Sequence, residues 1–117
     1  MLSRVNRIAR GADFRTVVRS GRRFATPVAV VYVRETDAAS PTRFGFIVSK
    51  AVGGSVERHL VTRRLRAIGR AALPDRPRGA DVVVRALPGI VEVPWDTLRA
   101  GVDRALDRAR TEGTAQR

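Results

Sequence analysis

Apolar residues at Phe14, Val17 and Val18 recur at i, i+3, i+4, the spacing of one helix face. They predict a first helix from Gly11 to Ser20, with Asp13 in its first turn and Gly21 as its stop. The period then changes to two. From Phe24 to Arg34 the β-branched run FATPVAVVYVR predicts a strand, with Val28, Val30 and Tyr32 on one face and Ala29, Val31 and Val33 on the other. Pro27 belongs near its start or at an edge, and a shorter strand can split off around Gly21 to Thr26. Glu35 to Thr42 is expected to be a hairpin loop. Arg43 to Ser49 follows as a strand with Phe44, Phe46 and Val48 on one face.

A long helix comes next, capped by Ser55 and ending near Leu73, where Pro74 and Pro77 forbid its continuation. Asp81 to Ala86 is a further strand, and Pro88-Gly89 turns the chain toward Trp95. Asp96 or Thr97 can cap the last helix, whose apolar stripe is Leu98, Val102, Ala105, Leu106 and Ala109. The order is α-β-β-β-α-β-α, an α+β class with a small mixed sheet and three helices in a two-layer sandwich. One domain is expected over residues 1–117. Residues 1–10 are expected to be a flexible, extended basic N-terminus, and 111–117 a frayed tail.

Charge changes this picture. Lys and Arg number 23 against 11 Asp and Glu, a net charge of +12, which calls for a polyanionic partner. Nucleic acid is the first choice. A membrane is disfavoured because no apolar run approaches a spanning length. All basic residues but Lys50 are arginine, a genome-like bias that does not explain the excess of bases over acids. The absence of cysteine excludes disulfides, thiolate metal sites and cysteine nucleophiles. MLSRVNRIARG lacks the apolar core of a signal peptide, so a cytoplasmic location is expected.

The long helix carries most of the information. Val61, Leu65, Ile68 and Ala72 fall within an arc of roughly 60° and form its core stripe. Arg58, His59, Thr62, Arg63, Arg66 and Arg70 fall in a separate arc of roughly 140°, almost free of acid. An ordinary solvated face mixes signs, because opposite charges at i, i+4 support the helix. Arginine suits a phosphate partner, since its planar fork gives paired hydrogen bonds and stacks on bases. Leu60 and Arg64 fit neither arc. The glycine pair Gly53-Gly54 could bring backbone amides to a phosphate, though such pairs more often merely form loops.

These residues resemble a known family, the protein subunit of bacterial ribonuclease P. In that family a strand ending in Ser-Lys precedes Val-Gly-Asn-Ala-Val, one residue, Arg-Asn-Arg, then Val-Lys-Arg-Arg-Leu-Arg. Here Val48-Ser49-Lys50 ends the strand, Val52-Gly53 and Val56 follow, Arg58-His59-Leu60 takes the Arg-Asn-Arg place, and Val61-Thr62-Arg63-Arg64-Leu65-Arg66 completes the run. Asn6-Arg7-Ile8, Asp13-Phe14, Val17, Gly21-Arg22-Arg23 and Asp81-Val82-Val83-Val84 agree as well, so the resemblance spans roughly residues 2–110. Gly54, Ser55, His59, Leu60 and Thr62 depart from the pattern, and contacts made by the family's side chains at those places do not carry over.

The resemblance implies a ribosomal-protein-like fold with a left-handed β-α-β crossover, against the usual right-handed preference. It implies a protein that binds the ribonuclease P RNA and assists removal of the 5′ leader from precursor tRNA, with the RNA subunit doing the chemistry and using Mg²⁺. No protein partner is required. The residues toward the catalytic RNA would be Lys50, Arg58, Arg63, Arg64, Arg66 and Arg70, with Arg7, Arg15 and Arg22 as further basic contacts. The single-stranded leader would lie in a cleft at Phe14, Val18 and Tyr32, where rings can stack on bases of any sequence. Periodicity by itself assigns those three to ordinary core packing.

The residues offer no catalytic centre or metal site. His59 is the one histidine, and the acids are scattered where metal nucleases group theirs. The alternative is a general RNA-binding or ribosomal-protein-like module without a processing role. A major-groove DNA reader is a third possibility, but Ser55, Glu57, Arg58 and His59 make a poor set for base edges.

Overall fold

In a computed structural model, which describes residues 2–115 and the side chains of residues 2–111, four strands and three helices form the protein. They are α1 (Gly11–Ser20), β1 (Arg22–Ala25), β2 (Ala29–Glu35), β3 (Arg43–Ile47), α2 (Ser55–Ala72), β4 (Ala80–Ala86) and α3 (Trp95–Ala115). The α+β class and the element order match expectation. The long second strand divides at Thr26–Val28, where the Thr26 hydroxyl accepts hydrogen bonds from the N–H groups of Val28 and Ala29. α3 begins at Trp95 itself, one residue before the expected cap, and the Leu98 N–H donates to the Pro94 carbonyl. Its backbone stays helical to Ala115, within the stretch expected to fray; residues 116 and 117 lie outside the described residues.

The sheet order is β1-β2-β4-β3. Glu35–Thr42 is therefore not a hairpin, because β2 and β3 never pair. β4 lies between them, antiparallel to β2 with Val31 opposite Val84, and parallel to β3 with Phe44 opposite Val82. The reason is burial. β4 has five consecutive buried residues from Ala80 to Val84, and a strand buried on both faces belongs in the middle. The 35–42 loop instead bonds to the loop before β4, through Thr36 N–H to the Gly79 carbonyl and Thr42 N–H to the Pro77 carbonyl.

Both faces of the sheet are covered. Val31, Val33, Val82, Val84 and Phe44 pack against Val61, Leu65 and Ile68 of α2 and Leu98, Val102 and Ala105 of α3. On the reverse face Val30, Tyr32 and Val83 meet Val17 of α1 and Ile8. The two-layer sandwich thus gains a partial third layer from α1. Gly21 ends α1 as expected, but with φ of −76°, not a left-handed turn. Glycine is required there because a Cβ would stand 2.5 Å from the Val17 carbonyl oxygen.

The N-terminal stretch is not the flexible arm expected. Leu2 is only 4% exposed and belongs to the α2–α3 side of the core. Residues 4–6 make a 3₁₀ turn, and Ile8 donates its N–H to the Phe44 carbonyl at 2.9 Å along the open edge of β3.

One ion pair, unforeseen in the sequence, ties β3 to β4. Arg43 donates Nε to Asp81 Oδ1 at 2.9 Å and Nη2 to Oδ2 at 2.8 Å, with Asp13 of α1 at 3.4 Å. The hydrogen bond to Asp81 holds the guanidinium above its ordinary pKa, with smaller help from both carboxylates' charge and opposed by burial. Asp81 is buried, so losing its partner strands a carboxylate. Arg43→Met is expected to cost about 3 kcal/mol in urea unfolding, and Arg43→Met/Asp81→Leu to recover most of that loss.

Candidate nucleic-acid interface

The helix α2 starts with backbone geometry, not with a side-chain cap. Gly54, and not Ser55, is the N-cap, and its N–H donates to Glu57 Oε1 at 3.0 Å. The core stripe is as expected, with Val61, Leu65 and Ile68 each 1% exposed and Ala72 half-buried. His59, Arg63 and Arg70 are exposed; Arg58, Thr62, Arg64 and Arg66 are half-buried. Lys50 is exposed on the 3₁₀ turn Lys50–Val52 that leads to the helix. Leu60 is half-buried and belongs to neither core cluster, and Val56, one turn earlier, is 83% exposed.

Arginines in this chain fall into two groups. Arg22, Arg43, Arg76 and Arg99 have carboxylate partners. Among the described residues, no ion pair engages Arg58, Arg63, Arg64, Arg66 or Arg70 of α2. Five unneutralised guanidinium groups along one helix repel one another unless a polyanion is present. Arg22 belongs to the first group. Its Nη2 donates to the Ala109 carbonyl at 2.7 Å and lies 3.5 Å from Glu35, so it fastens β1 to α3. That engagement corrects its expected place among the basic contacts. Arg7 and Arg15 remain exposed.

A shallow groove of about 290 Å³ runs between α1 and the sheet, lined by Phe14, Arg15, Val18, Arg19, Ile47 and Arg85. Two of the three expected cleft residues are there. Tyr32 is not. It is 6% exposed, packed with Val30, Val83 and Val17, and the Arg85 guanidinium covers its ring at 5.9 Å. Its exclusion has a simple cause, since Tyr32 sits mid-strand under α1. Ile47, Arg19 and Arg85 were missed, yet alternation could have found two of them. Arg85 continues the Val83 face of β4, and Ile47 lies opposite the Phe44–Phe46 face of β3.

Phe14 also borders a smaller hollow at the β3 edge, shared with Arg7, Ile8, Gly45, Thr62 and Arg66. Arg66 in turn borders a hollow on α2 with Arg63, Ala67 and Arg70. Phe14 borders the first two hollows and Arg66 the second and third, so they follow one another from the α1 groove past the β3 edge to the arginine face. Gly45 lines the middle hollow. A Cβ there would lie 2.5 Å from Phe14 Cε1, so the ring rests directly on the strand backbone.

The sequence model of the Ribonuclease P family matches residues 2–110. The chain belongs to that family. Among its relatives, the ribonuclease P protein component of Clavibacter michiganensis is 48% identical over 93% of this chain and 96% of its own length. That of Pseudarthrobacter chlorophenolicus is 46% identical over 100% and 88%. In structure, the Thermotoga maritima ribonuclease P protein superposes with a TM-score of 0.76 at 25% identity, covering 87% of this chain and 96% of its own. A Staphylococcus aureus ribonuclease P protein does so with a TM-score of 0.78 at 24% identity, over 89% and 94%, and shows the shared fold. As a ribonuclease P protein component, the chain is a subunit of an endoribonuclease ribonucleoprotein in tRNA processing and partners the ribonuclease P RNA. No helix among the described residues is long and apolar enough to cross a membrane.

The two aromatic positions should separate in a stability measurement. Tyr32→Ala is expected to lose about 3–4 kcal/mol in thermal or urea unfolding, as for a large buried side chain. Phe14→Ala, whose ring is half-exposed, should lose roughly half as much.

Proposed function

We propose that the arginine face of α2 holds the ribonuclease P RNA, and that the α1 groove holds the single-stranded 5′ leader of precursor tRNA. The observation that carries this reading is the set of α2 arginines that lack carboxylate partners among the described residues, set beside hollows that share Arg66 and Phe14 with an apolar groove rimmed with arginine. Lys50, Arg58, Arg63, Arg64, Arg66 and Arg70 would contact phosphates, which position a partner without reading its sequence. Arg7 at the edge hollow and Arg15 on the groove rim would extend the same contact.

In the groove, Phe14 offers a ring for one base, while Val18 and Ile47 offer apolar surface. Stacking of this kind tolerates any base, which suits leaders of varied sequence. Arg15, Arg19 and Arg85 supply charge along the rim. Tyr32 supports the groove from beneath and takes no base. Leu60 and Thr62 stand where the family pattern has Arg and Lys, so this helix meets its RNA with fewer cations than that pattern would give.

Among the described residues no three His, Asp or Glu side chains are grouped to hold a metal ion. We assign the Mg²⁺ ion to the RNA subunit, which also carries the bond cleavage. The protein's contribution is electrostatic and steric. It neutralises phosphates where two RNAs converge, releasing their counterions, and it aligns the leader. Nothing in this role requires another protein or a membrane, and the cytoplasm, where tRNA is made, is the proposed location.

Reconstitution with a bacterial ribonuclease P RNA at low Mg²⁺ tests the reading. Cleavage of precursor tRNA should rise on adding the protein, and no rise at salt where RNA binding persists would refute it. Arg66→Ala should weaken RNA binding and reduce the slope of log K against log salt by about one. Gly45→Ala is expected to lift Phe14 from its seat. It should raise KM for precursor tRNA roughly fivefold or more while leaving affinity for the catalytic RNA unchanged.

A further inference from the structure

A cation planted in the sheet stands in the α1 groove without a carboxylate. Arg85 rises from the reverse face of β4, the face that α1 partly covers. In register it lies between Val30 of β2 and Ile47 of β3. Its guanidinium is 5.9 Å from the centre of the Tyr32 ring, and Phe14, Val18 and Ile47 form the apolar surface of the groove around it. Arg43, which also belongs to a strand, is met by the carboxylates of Asp81 and Asp13. No ion pair among the described residues engages Arg85, and its side chain is exposed. The ring beneath it steadies the guanidinium but leaves the N–H donors unanswered.

Its place in the groove selects the kind of acceptor. Arg15 and Arg19 belong to α1, one helical turn apart, and suit phosphates along the rim. Arg85 belongs to the sheet side. Gly45, the seat of Phe14, pairs with Val83, and Arg85 is two residues further on, about 6.6 Å along the strand. A nucleotide strand with one base on Phe14 turns its bases toward the sheet and its phosphates outward. What comes to Arg85 is then the edge of a neighbouring base, not a phosphate.

Resting on the reading of this groove as the leader's, we propose that Arg85 makes one leader position selective for guanine. A guanidinium only donates hydrogen bonds, and its planar fork matches two adjacent acceptors. Guanine offers such a pair in O6 and N7, whereas the N7 of adenine stands beside an amino donor that opposes the fork. Unstacked bases of single strands are recognised in this manner, lying on rings or guanidinium planes while their edges are hydrogen-bonded. Phe14 therefore accepts any base, and Arg85 adds a preference at the position beside it. Leaders with guanine there are processed faster.

The test uses the reconstituted holoenzyme and precursor tRNAs that differ only in guanine or adenine at one leader position at a time, since both purines stack alike. At one position kcat/KM for guanine should exceed that for adenine about fivefold or more, the lower range of what a bidentate pair discriminates. Arg85→Val, a residue that suits a strand between Val30 and Ile47, should bring that ratio to one by slowing the guanine leader. Arg85→Lys keeps the charge and loses the fork, so the ratio should fall to one while the salt dependence stays. A wild-type ratio near one at every position overturns the proposal, as does a guanine preference that survives either substitution. Equal slowing of guanine and adenine leaders by Arg85→Val also overturns it and marks a phosphate contact. Phe14→Ala keeps the two readings apart. If it raises KM for every leader while the wild-type ratio is one, the leader lies in the groove and only the role of Arg85 fails. If it leaves KM unchanged for all leaders, the groove reading falls and this proposal with it.

Discussion

Everything in this molecule depends on β4 occupying the place between β2 and β3. It follows β2 and β3 in the chain, yet its five consecutive buried residues, like those of β2, suit a central position with strands on both sides. Its pairing with β3 is parallel, and parallel neighbours need a long crossover. α2 is that crossover. Its core stripe must lie on the sheet, which obliges the opposite side to face outward for its whole length. The arginine face is thus presented by the same packing that closes the core, and Arg43–Asp81 fixes the register of the two strands that α2 joins.

Most of the fold was legible because period and burial agree. Val61, Leu65 and Ile68 on α2, and Leu98, Val102 and Ala105 on α3, are the residues that helical spacing selects, and they are the buried ones. Strand partners were not legible. Pattern gives the faces of β2 and β3 correctly, but pairing depends on a strand forty residues away, so proximity in sequence suggested a hairpin that does not exist. The N-terminal stretch misled for a related reason. Leu2 and Ile8 are isolated apolar residues in a basic segment, and only the open β3 edge and the α2–Phe44 cleft give them somewhere to go.

The interface divides along the same line. Which arginines are free is a question of pairing in space, and composition cannot separate Arg22, spent on Glu35 and the Ala109 carbonyl, from Arg63, which has no such partner. Tyr32 illustrates the opposite error. An aromatic at a family's cleft position invites a stacking role, but here the ring is roofed by Arg85 and walled by valines. What remains of the expected cleft is rimmed by Arg15, Arg19 and Arg85, and its one ring, Phe14, rests on the strand because residue 45 is glycine.

The docking of residues 2–8 bears on how the chain comes off the ribosome. Those residues precede β3, α2 and β4 in the chain, yet the slot for Leu2 is made by Phe44 and α2, and the ledge for Ile8 by a strand that is itself held by β4. Synthesis must pass residue 86 before residues 2–8 have a complete surface to settle on. Until then β3 presents an unpaired edge to any neighbouring nascent chain, and such edges recruit foreign strands. Residues 7 and 8 act as a late-fitted guard rail on that edge.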